Sequence, residues 1–180
     1  MMQGPTNQNQ QLRSGLVLYP SQQQAIEKIL TELARQISSQ FILLADVSGQ
    51  IISTRGGEQN NIDLIGLGAL VVSDLAASHE IARLTRQYQA DQMVFREGQS
   101  IHTLTCEAGY HLALMVQIST DTPLGWARMI IRKIARDLGD IANTPPPDED
   151  QFLGSSSEFN VQEDGLADLF NDALDDLWLE

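Results

Sequence analysis

Phe41-Ile42-Leu43-Leu44-Ala45-Asp46-Val47-Ser48-Gly49-Gln50-Ile51-Ile52-Ser53-Thr54 is the stretch on which the fold turns. Five apolar residues run from Phe41 to Ala45, an Asp/Ser/Gly turn follows, and a second strand-like run begins at Gln50. Asp and Gly accept turn conformations that bulky residues resist, so this reads as a β-hairpin. Phe41, Leu43 and Ala45 alternate with Ile42 and Leu44, which makes the first strand apolar on both faces. Residues 110–118 repeat the pattern: Tyr110, Leu112, Leu114, Val116 and Ile118 alternate with Ala113 and Met115. A strand apolar on both sides needs cover on both sides.

The elements that supply the cover lie outward from the hairpin. Upstream, Ser21 after Pro20 is placed to cap a helix in which Ala25, Ile26, Ile29, Leu30, Leu33 and Ile37 recur at helical spacing. Downstream, Gly56 and Gly57 open a loop, and Asp63 caps a second helix ending near Gln87. Strands follow at 93–96, 100–106 and 110–118, joined by Glu97-Gly98 and Glu107-Ala108-Gly109 turns. A last helix, 126–138, is expected to stop at Gly139 as its C′ residue. Strands joined by tight turns pair antiparallel. The expectation is an α+β domain of three layers, helix-β-β-helix-β-β-β-helix, with a five-stranded antiparallel sheet between helices.

The chain has 180 residues, 42% of them hydrophobic, and a formal charge of -13. The charge is unevenly placed. Residues 1–140 hold 13 acids against 11 bases, whereas 141–180 hold 11 acids and no base. Phosphate backbones and anionic lipids require clustered cations, so neither nucleic acid nor a membrane surface is an expected partner. With a single cysteine, Cys106, there is no disulfide framework within the chain and no multi-cysteine zinc site. Residues 1–11 are glutamine-rich without the apolar stretch of a signal peptide, and no run of about 18 apolar residues is read, so the expected setting is cytoplasmic, without membrane insertion. The expected organisation is a mostly disordered segment 1–20 whose apolar patch at 16–19 can dock as an extended segment on the domain, a folded domain 21–140, an acidic Pro-rich linker 141–163 and a C-terminal helix 164–180.

Two helical segments carry unusual patterns. The second helix holds Gly66 and Gly68 in its first turns, each costing about 1 kcal/mol relative to Ala. Gly66, Ala69, Ser73, Ala76, Ala77 and Glu80 form one stripe of mostly small residues, with Leu64, Leu67, Val71 and Leu75 on another flank. Such a stripe permits close packing on its own sheet, or presents a flat face to a second copy or a foreign partner. Near the C-terminus, Leu166, Leu169, Phe170, Ala173, Leu174, Leu177 and Trp178 recur at helical spacing, opposite Asp168, Asp172, Asp175 and Asp176. A helix this short is marginal alone and needs a groove, on its own domain or on a partner.

No catalytic constellation emerges. There is no P-loop, Gly66-Leu67-Gly68 lacks the rest of a dinucleotide fingerprint, and His79-Glu80 lacks the second histidine of a zinc-protease helix. His102 and Cys106 share a strand face but find no third ligand nearby in sequence. Neither cofactor nor metal is expected.

The element order, together with Leu43-Leu44-Ala45-Asp46-Val47-Ser48-Gly49-Gln50-Ile51-Ile52, resembles the Roadblock family of dynein light-chain type, with its Roadblock/profilin-like architecture. Leu16-Val17-Leu18-Tyr19, Glu107-Ala108-Gly109-Tyr110-His111, Thr122-Pro123-Leu124-Gly125 and Ala173-Leu174-Asp175-Asp176-Leu177 are similar to a narrower bacterial gliding-motility group, the MglB type. The resemblance implies a homodimer with sheets joined edge to edge. It implies binding to a Ras-like small GTPase of MglA type in its GTP form, and stimulation of hydrolysis without chemistry of its own. By position it assigns the partner-facing platform to Ser73, Ala76, Ala77 and Glu80 of the second helix. It also assigns contacts, with an influence on nucleotide exchange, to Leu166, Leu169, Phe170, Leu174, Leu177 and Trp178. The alternative is a Roadblock adaptor that leaves hydrolysis unchanged. Arg83, Arg86 and Arg96 are the places for a contributed cation; each reads first as an ordinary solvated arginine.

Overall fold

The structure, a computed structural model, describes residues 9–57, 63–87 and 92–144. Its elements are β1 (Gln10–Gln11), β2 (Val17–Leu18), α1 (Pro20–Gln36), β3 (Phe41–Asp46), β4 (Ile51–Gly56), α2 (Leu64–Leu84), β5 (Met93–Arg96), β6 (Ile101–Ala108), β7 (Leu112–Ser119) and α3 (Leu124–Asn143). The five long strands form one antiparallel sheet in the order β4-β3-β7-β6-β5. The strands that are apolar on both faces, β3 and β7, lie inside the sheet, where cover is available on each side.

The two faces are covered unequally. Ile42, Leu44, Leu114, Val116 and Ile118 meet α1 and α3, whose Ile26, Leu30, Leu33, Ile130, Ile131 and Leu138 complete the main core. The opposite face, with Phe41, Leu43, Ala45, Ala113 and Met115, receives only Val71 and Leu75 of α2 as buried large side chains. Each buried Leu or Val contributes about 1.5–3 kcal/mol, so α1 and α3 are anchored far more strongly than α2. A register shift beside Leu44 and Ala45 is a bulge at Ile52; it lets Ile51 pack toward α2 while Ile52 packs toward the main core.

Several expectations are corrected. Residues 9–15 are not a loose lead-in, while the patch at 16–19 docks as expected: β1 and β2 pair, Leu12 and Leu18 enter the main core, and the Arg13 and Ser14 amides donate to Gln50 Oε1 and Asp46 Oδ2 at 2.9 and 3.1 Å. Helix α1 begins at Pro20 with Tyr19 as N-cap, not at Ser21; the fixed φ of proline suits the first helical position. Gln22 there accepts from the Tyr19 amide (3.0 Å) and donates to the Ile141 and Thr144 carbonyls (2.7 and 2.9 Å), tying the start of α1 to the end of α3. Gly139 does not end α3. The helix continues to Asn143, and a Cβ on Gly139 would lie 2.8 Å from the Gly109 amide nitrogen, so the glycine serves close approach to the β6–β7 turn. Tyr110 lies in that turn rather than in β7 and is 89% exposed.

Candidate functional site

Asp63 starts α2 by accepting a hydrogen bond from the Gly66 amide at 3.0 Å. A Cβ on Gly66 would lie 2.6 Å from the Asp63 carboxylate, so the first glycine makes room for the cap. The second brings the helix down onto the hairpin: a Cβ on Gly68 would overlap the Gly49 carbonyl and lie 2.8 Å from Ile51 Cδ1. The underside is fixed further by two polar contacts, His79 Nδ1 to Glu107 Oε1 (3.3 Å) on β6 and Asp74 to Arg96 (2.5 Å) on β5.

The predicted stripe lies on the other side. Gly66 is half-buried; Ala69, Ser73, Ala76, Ala77 and Glu80 are exposed and point away from the sheet. Packing on its own sheet is therefore not what the stripe does within the chain. Ser73 turns its hydroxyl back to the Ala69 carbonyl (2.8 Å), which leaves the face flat. Glu80 is gripped by both arms of Arg83 (2.8 and 2.5 Å), and this hydrogen bonding holds its carboxyl below the usual range.

Sequence reasoning missed the larger part of this face. Ile65, Leu70, Ile81 and Leu84 are 81, 68, 62 and 67% exposed and flank or extend the small stripe. The signal was available: residues 64–72 of α2 are apolar all round, and a helix of that kind is normally buried on every side. By length and composition α2 would also qualify to cross a membrane, with a mean hydropathy of 1.4 over 18 residues, although Ser73, Asp74, Ser78, His79 and Glu80 interrupt its apolar run, as the sequence led one to expect. Its carboxylate cap, its seat on Gly49 and its ion pair to β5 make it the helix that covers one side of the sheet. What remains is an outward apolar surface without cover among the described residues.

Other candidate residues are placed apart from this face. His102 and Cys106 lie on the α1/α3 side of β6; Cys106 is buried in the main core, and the His102 ring meets the Phe95 ring edge-on at 5.1 Å. Among the described residues no group of three or more His, Cys, Asp or Glu could hold a metal. A cleft of about 30 Å³ between β6 and α3, lined by Cys106, Glu107, Gly109, Arg132, Ala135 and Arg136, has room for one water rather than an organic substrate. At the tip of the sheet the Val47 amide donates to the His111 carbonyl (3.0 Å), joining two turns. Leu166, Leu169, Phe170, Leu174, Leu177 and Trp178 lie outside the described residues.

No family model and no curated protein matches the sequence. Solved structures do. The chain is similar to MglB of Myxococcus xanthus (28% identity, TM-score 0.60, covering 65% of this chain and 94% of that one) and to the gliding protein MglB of Thermus thermophilus (25%, 0.63, 71% and 95%). It also shares its fold with a Roadblock/LC7 domain of Streptomyces avermitilis (13%, 0.54, 62% and 92%). The α+β domain thus has the Roadblock fold and is MglB-like in structure.

Proposed function

We propose that the protein is a non-enzymatic regulator of a Ras-like small GTPase of MglA type: a cytoplasmic homodimer that binds the GTP-bound form and stimulates hydrolysis. The observation that carries the reading is the outer face of α2, flat at Ala69, Ser73, Ala76 and Ala77 and edged by exposed Ile65, Leu70, Ile81 and Leu84. Contiguous exposed apolar surface marks a protein interface. Likeness to MglB supports the choice of partner.

The dimer contact is assigned to β5. It is an edge strand whose outer backbone groups have no strand to pair with among the described residues, and Arg96 on it reaches Asp74 of α2. Joining two copies there carries one α2 face toward the other. Phosphoryl transfer depends on positioning and charge stabilisation, so a protein without catalytic groups accelerates it by fixing the residues of the GTPase. The C-terminal residues 164–180, through Leu166, Leu169, Phe170, Leu174, Leu177 and Trp178, supply a second contact and affect nucleotide exchange.

The test is single-turnover GTP hydrolysis by the MglA-type GTPase of the same cell, with and without this protein. Acceleration of about tenfold or more, 1.4 kcal/mol off the barrier, is expected. Binding without acceleration would make the protein an adaptor instead.

A further inference from the structure

The cations on and beside α2 differ in one respect. Arg83 is neutralised by Glu80 and Arg96 by Asp74. Arg86, two residues beyond Leu84, is exposed and has no ion pair among the described residues. Its backbone is also unusual. The Arg86 amide donates to Arg83 O (3.2 Å) and the Gln87 amide to Ala82 O (2.8 Å), the paired bonds of a helix end whose C′ residue is left-handed. Arg86 is that residue, with φ 58°. Glycine holds this conformation freely, whereas any other side chain crowds the following carbonyl. Ser38 adopts a similar φ of 47° at the end of α1, so the backbone alone does not single out Arg86. The combination does: strain, a guanidinium without an ion pair among the described residues, and a place at the end of an exposed apolar face.

We propose that Arg86 is the steering cation of this face, pairing with carboxylates beside the apolar patch of the GTPase that docks on α2. This assignment rests on the reading above. A matched cation such as Arg83 presents little net field to an approaching protein, while an unmatched one at the margin attracts an acidic surface and sets its register. The strain at Arg86 is then retained for association, since glycine would serve folding better.

The test uses the full chain, with Arg86→Gly and Arg86→Lys. Arg86→Gly should raise Tm by about 2–4 °C. It should also slow association with the GTP-loaded GTPase by about three- to tenfold at 50 mM salt, with little change in dissociation and with the difference gone by about 0.5 M salt. Arg86→Lys should restore most of the rate. An unchanged association rate at low salt in Arg86→Gly overturns the proposal, as does a lowered Tm, which would make Arg86 a structural cap. A fall in hydrolysis at saturation with unchanged association would place the guanidinium on phosphate, and would equally overturn it. Ala76→Arg serves as the control: if it abolishes binding while Arg86→Gly associates normally, the α2 platform stands and only the role of Arg86 fails. If the wild-type chain binds no GTPase, both readings fail together.

Discussion

Leu75 and Ala76 are neighbours in sequence with opposite surroundings, and this separates folding from binding in a single pair of variants. Leu75 is 5% exposed and, with Val71, makes most of the α2 contribution to the smaller core beside Leu43 and Met115. Leu75→Ala removes buried methyl groups and leaves a cavity, at a cost of about 2–5 kcal/mol in close-packed cores. Only one thin helical layer lies over the site, and it can settle, so the lower end, about 2–3 kcal/mol, is expected. At about 2–4 °C per kcal/mol that lowers Tm by roughly 4–12 °C. Ala76 points the other way. Ala76→Arg adds a side chain to solvent and should change stability by no more than about 0.5 kcal/mol. On docking, however, an unpaired guanidinium would be forced between two flat surfaces; desolvating it costs about 3 kcal/mol or more, over 100-fold in Kd. Urea unfolding and titration of the GTP-loaded GTPase measure the two effects on the same preparations. Binding by Ala76→Arg within threefold of wild type would refute the site. Destabilisation by Ala76→Arg as large as that of Leu75→Ala would refute the orientation of the helix.

Gln22→Leu should cost about 2–3 kcal/mol in chemical denaturation, because three hydrogen bonds are lost and helix-end groups of both α1 and α3 are left unmatched in a site that is 8% exposed. Gly139→Ala should lower Tm and loosen amide-exchange protection in the last turn of α3, since the added Cβ meets the backbone of Gly109, which cannot give way as a side chain would. For Asp46, burial pushes the carboxyl up, but hydrogen bonds from Ser48, Gln50 and Ser14 outweigh it and hold it below the usual carboxylate range. A depressed value means stability that is present above the unfolded-state pKa and lost as pH falls through the folded one; Asp46→Asn should therefore destabilise the protein at pH 7 and flatten its acid limb in unfolding experiments at pH 2–6. Asp137 has the opposite sign, its carboxyl pushed up by burial and by Asp140 against Lys133 and Arg136, so Asp137→Asn should raise Tm at pH 7 and leave it unchanged at low pH.

The layered fold was legible because its strongest signals are local. Two-sided apolar strands at 41–45 and 112–118 require cover on both faces, and the helical spacing of Ile26, Leu30 and Leu33 supplies part of it. What escaped was tertiary. Gly139 has the credentials of a helix stop, yet its real constraint is the backbone of Gly109, thirty residues away, and a single sequence does not pair the two. Gln10 and Gln11 look like a polar lead-in because the bonds that hold the following turn come from Gln50 and Asp46.

Helix α2 failed in a more informative way. Periodicity identifies a buried face by contrast with a polar one, and α2 offers little contrast: Val71 and Leu75 face the sheet, while Leu70, Ile81 and Leu84 face outward. The small-residue stripe at Ala69, Ser73 and Ala76 was visible, but nothing in its spacing distinguishes the inward side from the outward one. Asp63, Gly68 and Asp74 decide that, by fixing the N-cap, the seat on Gly49 and the tie to Arg96. Once those three contacts set the rotation, the weak periodicity acquires a physical meaning. A largely apolar helix with one side unburied among the described residues costs solubility unless that side is covered, and a second protein surface can cover it without disturbing the contacts that hold the helix to the sheet.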